Sequence, residues 1–358
     1  MPLDVPLPST VSAVSFKILI LKPSSLGDVI QALPVLRLLK LHFRDAEIHW
    51  WIASGLAPLI EGDPDLAGIV RFERKRWSSP PNWPEMFRSI QWLRAQRFDW
   101  VIDLQGLLRS GIFGWLSCGK FLIGLDNQRE GRREGARLFY DLAAHAPKGT
   151  HAVDRYLSVL PALGVPTNAS FQWLPERPQV AAAVKAKWPE LPAVPRWIAI
   201  QPGARWDTKR WPVENFTKLV GLLAQKHPDV RFAVFGSAGE RQFGEIISSA
   251  APERVLNLCG RTSLTEMIEW LRFCELMITN DTGPMHVAAA LGVPLIALFG
   301  PTDPHSTGPY GQLENVIRMG LACSPCFNST CLWSNPLECL LAISPERVFE
   351  FAEKKLRK

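Results

Sequence analysis

The stretch Lys17-Ile-Leu-Ile-Leu-Lys-Pro-Ser-Ser-Leu-Gly-Asp28 decides the fold of the amino-terminal half of this chain. Its first five residues have the apolar, β-branched character of a short buried strand, and apolar residues at helical spacing follow from Leu26 onwards. A strand that turns directly into a helix opens a parallel βαβ unit, and backbone N–H groups at such a helix start can hold an anion. The stretch therefore predicts an open parallel sheet with a ligand site after its first strand.

A second turn of the same kind, Asn280-Asp-Thr-Gly-Pro-Met-His286, lies about 250 residues further along the chain. That separation is too long for one βαβ unit, so two domains are predicted. We expect them to face each other across a cleft, in which one side offers a carboxylate and the other holds a phosphorylated ligand.

Composition limits the classes of function. The chain has 358 residues, 47% of them hydrophobic and 21% charged, as in an ordinary globular protein of two domains. The formal charge of +6 suits an acidic partner, but no known nucleic-acid-binding pattern is present. No run of eighteen apolar residues predicts a membrane span, and the start lacks a secretory signal. Seven cysteines in a large chain favour a reducing compartment, so we expect a cytoplasmic protein.

Short apolar runs alternate with helical periodicity throughout, which is typical of doubly wound α/β sheets. Five strands are predicted in each half: 17–21, 47–52, 68–72, 99–104 and 120–124, then 197–201, 230–236, 254–258, 276–280 and 295–299. Proline density marks 176–195 as an interdomain linker. The predicted organisation is a flexible tail over 1–15, an amino-terminal Rossmann-like domain over 16–175, the linker, and a carboxyl-terminal Rossmann-like domain over 196–358.

Two nucleotide-binding patterns are alternatives for a chain of this class. No Gly-x-Gly-x-x-Gly follows the first strand, which argues against a nicotinamide oxidoreductase. The segment Gly114-Trp-Leu-Ser-Cys-Gly-Lys120 imitates a phosphate-binding loop, but Phe121 replaces the Ser or Thr that would hold magnesium. We interpret that match as chance.

Asp28 and Ser25 each have two interpretations. A carboxylate at the carboxyl end of the first strand lies where open α/β sheets bind ligands, yet Asp and Ser are also favoured helix caps. The same choice applies further along, where Asp281 and His286 can bond sugar hydroxyls or belong to a capped helix with a buried histidine.

Three other features of the sequence indicate candidate ligand-binding or metal-binding residues. Lys209 or Arg210, in a polar loop after a strand, can neutralise phosphate charge, although solvent exposure is the default for such a residue. Glu240 follows another strand end and can accept hydrogen bonds from a ribose. Cys323, Cys326, Cys331 and Cys339 invite a zinc interpretation, but their spacings fit no standard ligand set, and reduced packed thiols are preferred.

These motifs together resemble glycosyltransferase family 9, the lipopolysaccharide heptosyltransferases. The similar segments are Ile18–Val29, Pro202-Gly-Ala204, Lys209-Arg-Trp-Pro212, Asp281-Thr-Gly-Pro-Met-His286 and Phe299-Gly-Pro-Thr-Asp-Pro304. Their order and combination cover nearly the whole chain. The resemblance implies the GT-B fold, which consists of two Rossmann-like domains, and transfer of heptose from ADP-L-glycero-D-manno-heptose to a Kdo or heptose acceptor on lipid A.

The resemblance also implies residue roles. Asp28 is the expected general base and Lys209 the diphosphate clamp, and the two are expected to converge on one crevice. Donor-binding residues are expected at Glu240, Thr262, Asp281, Thr282, Gly283 and His286, and acceptor-binding residues at Ser25 and Arg133. No metal and no cofactor are expected, and the enzyme would work at the inner face of the inner membrane.

Some alternatives stay open on the sequence. The chain can be a family member that uses another nucleotide sugar, or a sugar-nucleotide-binding protein without catalysis. Ala204 and Arg205 stand where first-heptose enzymes carry hydroxyl residues, so the sequence leaves open which heptose is added.

Overall fold

The structure is a computed structural model that describes residues 16–126, 135–193 and 196–356. The chain divides into two compact units, an N-terminal unit Met1–Pro175 and a C-terminal unit Glu176–Lys358. Each unit contains one six-stranded sheet in which all strand pairs are parallel. The predicted α/β fold class with two Rossmann-like domains is confirmed. The tail 1–15 lies outside the described residues.

The N-terminal unit has the strand order β3-β2-β1-β4-β5-β6. Its strands are β1 Lys17–Leu21, β2 Glu47–Ala53, β3 Gly68–Phe72, β4 Trp100–Asp103, β5 Phe121–Leu125 and β6 Leu142–Ala144. Its helices are α1 Leu26–His42, α2 Trp83–Gln96, α3 Leu108–Leu116, α4 Ala152–Leu157 and α5 Val159–Ala162. Strand β1 lies between β2 and β4 and is buried except at its first residue, which explains its uninterrupted apolar sequence.

The C-terminal unit has the order β12-β11-β10-β7-β8-β9. Its strands are β7 Arg196–Gln201, β8 Val230–Val234, β9 Val255–Asn257, β10 Cys274–Asn280, β11 Leu295–Phe299 and β12 Val316–Arg318. Its helices are α6 Pro178–Lys187, α7 Glu190–Ala193, α8 Val213–Lys226, α9 Arg241–Ser248, α10 Leu264–Leu271, α11 Gly283–Ala290, α12 Pro304–Thr307, α13 Glu338–Leu341 and α14 Pro345–Leu356. Ile198, Phe216, Leu276 and Leu340 belong to one buried core of this unit.

The ten predicted strands are present, with ends that differ by at most two residues. The sequence missed β6 and β12, the three-residue strands at one edge of each sheet, because such short segments show no periodicity. The segment predicted as a linker carries α6 and α7 in its described part, and α6 packs against α10. In the described part of the chain, no helix has the length and apolar character needed to cross a bilayer.

Candidate functional site

Asp28 lies at the switch point of the N-terminal sheet. The chain leaves β1 for β2 on one side, and the later strand β4 pairs with β1 on the other side. Ligands of open α/β sheets bind outside the carboxyl ends of the strands where the order reverses in this way. Asp28 is the third residue of α1, directly after the turn that follows β1, so its side chain belongs to that edge of the sheet.

The Asp28 carboxylate is held by three neighbours. Its Oδ2 accepts hydrogen bonds from the Ser25 backbone N at 3.1 Å and from the Ser25 Oγ at 2.7 Å. Its Oδ1 accepts a hydrogen bond from the Tyr156 hydroxyl at 2.8 Å, and the Lys22 Nζ lies 3.8 Å from the same oxygen. Ser25 is the N-cap of α1 and forms a capping box with Asp28, so the capping interpretation of both residues holds in the structure.

These neighbours fix the charge of Asp28. Burial alone would raise the pKa of this carboxyl, but the Lys22 ammonium and the hydrogen bonds from Ser25 and Tyr156 outweigh it and hold the pKa well below its usual range. Burial and the Asp28 charge raise the pKa of Tyr156, so its hydroxyl stays a donor at neutral pH. The Asp28 side chain is 33% exposed. It is therefore an ionised carboxylate within reach of solvent.

Sequence reasoning did not single out Lys22 or Tyr156. Lys22 is 3% exposed, and its Nζ donates to the Leu104 carbonyl at 3.2 Å as well as facing Asp28. A lysine buried this deeply needs charge compensation. Its place within the Lys-Pro-Ser-Ser turn was the available signal. Tyr156 lies 128 residues from Asp28 in sequence and had no local signal. Arg133, predicted to bind the acceptor, lies outside the described residues.

The predicted donor-binding residues follow four neighbouring strands of the C-terminal sheet. The order β10-β7-β8-β9 places the carboxyl ends of these strands side by side. Asp281 follows β10 and Lys209 follows β7, the pair of strands at the switch point. Glu240 follows β8, and Thr262 follows β9. Residues separated by tens of positions in sequence thus belong to one edge of one sheet.

Lys209 and Asp281 form an ion pair at this edge. The Lys209 Nζ lies 2.6 Å from Asp281 Oδ2, and the two side chains are 19% and 6% exposed. The Thr302 hydroxyl donates to the same oxygen at 2.6 Å. The Nζ also lies 4.9 Å from the centroid of the Trp206 ring. The predicted clamp lysine is therefore held by a carboxylate that a diphosphate would have to replace, and Thr302 is a supporting residue that the sequence interpretation missed.

The start of α11 lies next to this ion pair. Thr282 is the N-cap, its side chain makes no capping hydrogen bond, and Pro284 occupies the first turn. The first N–H groups of a helix have no partner within the helix and favour an anion. His286 lies in the same helix and is 8% exposed. Asn280, the last residue of β10, is joined to the loop that follows β7, since its Nδ2 donates a hydrogen bond to the Pro202 carbonyl at 2.7 Å.

Glu240 takes part in a helix cap and also lies against Gly203, which belongs to the same loop after β7 as Lys209. Its Oε2 accepts hydrogen bonds from the Ser237 backbone N at 2.6 Å and the Ser237 Oγ at 2.9 Å, which forms a capping box. A Cβ at Gly203 would lie 1.8 Å from Glu240 Oε1, so only glycine fits there while Glu240 keeps this position. Thr262 is half-buried in the turn before α10.

The four cysteines of the carboxyl-terminal region are free thiols around one cavity. Cys323, Cys326, Cys331 and Cys339 line a space of about 140 Å³ that also touches Thr208. Burial is the main cause that raises the pKa of Cys339, and the neighbouring cysteines act in the same direction. Across residues 16–126, 135–193 and 196–356, no group of three or more His, Cys, Asp or Glu side chains is arranged to hold a metal ion.

The segment 114–120, whose sequence resembles a phosphate-binding loop, does not have the secondary structure of such a loop. Gly114 belongs to helix α3, Ser117 follows that helix, and Lys120 directly precedes strand β5. A phosphate-binding loop connects a strand to a following helix, which is the opposite order. The geometry agrees with the interpretation of that match as chance.

Comparisons with known proteins identify the family. The sequence model described as glycosyltransferase family 9 (heptosyltransferase) matches residues 86–336. The chain is 32% identical to lipopolysaccharide heptosyltransferase 1 of Pseudomonas aeruginosa, an alignment that covers 93% of this chain and 96% of that protein. It is 28% identical to lipooligosaccharide heptosyltransferase 2 of Campylobacter jejuni, over 95% of this chain and 98% of that one.

A solved structure of an Escherichia coli heptosyltransferase with ADP-2-deoxy-2-fluoro heptose is similar as well. It is 27% identical, has a TM-score of 0.74, and the match covers 95% of this chain and 99% of that chain. The resemblance drawn from the motifs is confirmed, as is the GT-B class at the level of its two Rossmann-like domains. The chain belongs to glycosyltransferase family 9 (heptosyltransferase), and it is therefore a glycosyltransferase.

Proposed function

We propose that the chain transfers heptose from ADP-L-glycero-D-manno-heptose to a Kdo or heptose hydroxyl of the lipopolysaccharide inner core. The observation that carries this proposal is the Lys209–Asp281 pair, with 2.6 Å between Nζ and Oδ2, at the switch point of the C-terminal sheet beside the start of α11. The names of the relatives support the substrate class, since both are lipopolysaccharide or lipooligosaccharide heptosyltransferases.

The C-terminal unit supplies the donor contacts in this proposal. Lys209 leaves Asp281 and pairs with the diphosphate, which the backbone N–H groups of Thr282 and Gly283 also bind. Asp281, freed from the lysine, accepts hydrogen bonds from heptose hydroxyls together with His286. Charge on the diphosphate grows as its bond to the anomeric carbon breaks, and fixed positive groups stabilise that charge without reorganisation.

Two further residues hold the nucleoside. Glu240 lies after β8, and its Oε2 is used by the cap on Ser237. The ribose hydroxyls then donate to the remaining lone pairs of its carboxylate. Thr262, after β9, lies near the adenosine. Acidic residues at the second strand end serve the same purpose in other nucleotide-binding sheets.

Asp28 accepts the proton in this proposal. The acceptor oxygen attacks the anomeric carbon, the bond from that carbon to the ADP oxygen breaks with its electron pair staying on ADP, and the hydroxyl proton passes to Asp28. A carboxylate whose pKa lies well below its usual range is a weak base, so proton transfer follows the rise in acidity of the hydroxyl as the new bond forms. Ser25 and Arg133 contact the anionic acceptor. The convergence of Asp28 with Lys209 stays a prediction.

Two features of the mechanism follow from direct displacement. Attack opposite the leaving diphosphate inverts the anomeric centre. Lys209 and the start of α11 supply the positive charge that a divalent metal supplies in other transferases, so turnover should persist in EDTA. The acceptor is a lipid, and the enzyme therefore works as a peripheral protein at the inner face of the inner membrane.

The test uses purified protein, ADP-heptose and Kdo-lipid A, with ADP release as the readout. Asp28→Asn should abolish release while the donor Kd measured by calorimetry stays close to that of the unmodified protein. Glu266→Gln is the matched control, because Glu266 forms the same kind of capping box with Ser263 but has no place in the mechanism. Full turnover by Asp28→Asn would remove the base assignment.

A second acceptor separates the two heptose steps. Relatives named heptosyltransferase 1 and heptosyltransferase 2 are both similar to this chain. Kdo-lipid A without heptose and the same acceptor already carrying one heptose should therefore be compared at equal concentration. Preference by at least about tenfold in kcat/KM, which equals 1.4 kcal/mol, would assign the step.

A further inference from the structure

One face of the N-terminal unit has an outer surface that the proposed reaction does not use. Helix α2, helix α3 and the 3₁₀ turn Gly135–Phe139 pack their inner side chains against the same buried core, through Ile90, Phe113 and Phe139 respectively. Their outer sides therefore share one side of the sheet. Two contacts join them, from the Arg94 Nε to the Leu116 carbonyl at 2.9 Å and between the Trp115 and Phe139 rings at 6.2 Å.

This outer surface is rich in exposed apolar side chains, and we name it the aromatic–arginine face. Its apolar members are Trp83, Phe87, Trp92, Leu107, Leu108, Trp115 and Leu138. Trp115 is 60% exposed and Leu138 is 87% exposed. Among the described residues of the N-terminal unit, Leu41 is the one exposed large apolar side chain outside this face. Large apolar side chains grouped in this way mark a binding surface more often than scattered ones do.

The same face carries basic charge. Arg88, Arg94, Arg109 and Arg137 are all exposed on these three elements. Glu85 is the one acidic residue within the three elements, and Arg76 pairs with it at 2.9 Å. Arg137 lies 3.3 Å from Asp126. The surface therefore combines tryptophan, phenylalanine and leucine with an excess of arginine.

We propose that the aromatic–arginine face binds the surface of an anionic phospholipid bilayer. Tryptophan is enriched at the boundary between headgroups and acyl chains, and arginine is attracted to anionic lipids. Helices that lie in that boundary show this combination of aromatic, leucine and basic residues. Tryptophan, phenylalanine and arginine are enriched at protein interfaces as well, so it is the lipid-borne acceptor of the proposed reaction that favours a bilayer over a protein partner. The inference rests on the proposed function, since it gives the enzyme access to a lipid-borne acceptor.

The first test is flotation of the full chain with vesicles. Vesicles of phosphatidylethanolamine with phosphatidylglycerol should bind at least about tenfold more protein than vesicles of phosphatidylcholine. Raising the salt from about 0.1 M to about 1 M should reduce binding strongly, because the screening length falls from about 10 Å to about 3 Å. Equal binding to both lipid compositions would overturn the electrostatic part of the proposal.

The variants separate this surface from the rest of the chain. Trp83→Ser, Phe87→Ser and Trp115→Ser combined should reduce vesicle binding at least about tenfold. Leu41→Ser, which removes an exposed apolar side chain from α1, should not change it. Sedimentation velocity without lipid should give the same oligomeric state for the triple variant and the unmodified protein. A changed oligomeric state would show that the face binds a second copy, which would overturn the proposal.

The readouts keep this proposal distinct from the proposed function. Vesicle binding without heptose transfer to any core acceptor would support the lipid surface and contradict the assigned reaction. Transfer to a detergent-dispersed acceptor, without vesicle binding, would support the reaction and overturn the lipid surface. The triple variant should keep its donor Kd and its turnover on detergent-dispersed acceptor, and it should lose turnover on acceptor embedded in anionic vesicles.

Discussion

The ion pair between Lys209 and Asp281 gives the sharpest prediction, because the chain contains a matched pair elsewhere. The separation of Nζ from Oδ2 is 2.6 Å, with side chains 19% and 6% exposed. The Lys218 Nζ also lies 2.6 Å from an acidic oxygen, Glu346 Oε1, but these two side chains are 58% and 54% exposed. A double-mutant cycle on each pair, using Met for lysine and Asn or Gln for the acid, measures the interaction energy and compares burial at equal distance.

The magnitude follows from the geometry. At an effective dielectric constant of about 20, unit charges at the 2.6 Å separation attract by about 6 kcal/mol. Removing two charges from water offsets most of that attraction. We therefore expect a coupling energy of about 1–3 kcal/mol for the buried pair. The exposed pair should couple much more weakly than the buried one, since solvent screens it and its long side chains must be ordered.

Urea unfolding followed by circular dichroism supplies the stability of each variant, and ADP release supplies its activity. Lys209→Met should lower kcat by about 10²–10³-fold, because a fixed positive charge next to the leaving diphosphate is lost. Lys218→Met should leave kcat unchanged. Equal coupling energies for the two pairs would refute the argument from burial, and unchanged turnover in Lys209→Met would refute the clamp.

Three other substitutions test the supporting residues. Thr302→Val removes the hydroxyl that bonds the carboxylate partner of the clamp lysine, so the free energy of unfolding should fall by about 1.5–3 kcal/mol in a urea titration; an unchanged midpoint would contradict this. Gly203→Ala places a Cβ 1.8 Å from Glu240 Oε1, so the Glu240 carboxylate must move. The Kd for ADP should therefore rise about tenfold, which corresponds to about 1.4 kcal/mol of binding free energy. An unchanged Kd in calorimetry would argue against Glu240 as a nucleoside contact. Tyr156→Phe removes one hydrogen bond that lowers the pKa of Asp28, so that pKa rises. The ionised Asp28 carboxylate contributes stability above pH about 4, and this contribution is lost as the pH falls through the lowered pKa. The variant, with its higher Asp28 pKa, should therefore lose this stability at a higher pH than the unmodified protein. Superimposable acid-unfolding curves for the two proteins would refute the prediction.

The sequence predicted the sheets well because their central strands are buried on both faces. Strand β1 is apolar over four successive residues, and a buried parallel strand needs that composition. Helix α3 has a low helical propensity because it contains Gly111 and Gly114, yet both glycines are buried there. A Cβ at Gly114 would lie 3.0 Å from a methyl carbon of Leu122, so the glycine allows close packing of this helix against β5. Tertiary packing therefore stabilises this helix, and helical propensity calculated from one sequence does not include tertiary packing.

The candidate site was predictable where its residues follow strand ends, and not where they come from elsewhere. Asp28, Lys209, Glu240 and Asp281 all stand after predicted strands, so topology alone brought them to sheet edges. Tyr156 reaches its partner from helix α4, more than a hundred residues away. No periodicity in one sequence encodes such a pairing.

The sequence offers two interpretations of Asp28, as a helix cap and as a general base, and the geometry allows one side chain to fill both roles. A capping box uses one carboxylate oxygen, and Oδ2 of Asp28 fills that need by accepting both bonds from Ser25. The other oxygen faces Tyr156 and Lys22, a cation that is 3% exposed. Glu266 has the same kind of cap, but its second oxygen meets Lys187, which is 47% exposed. Asp28 therefore differs from Glu266 in its second partner, which is a buried cation rather than an exposed one, and a helix cap at Asp28 is compatible with the proposed role as a base.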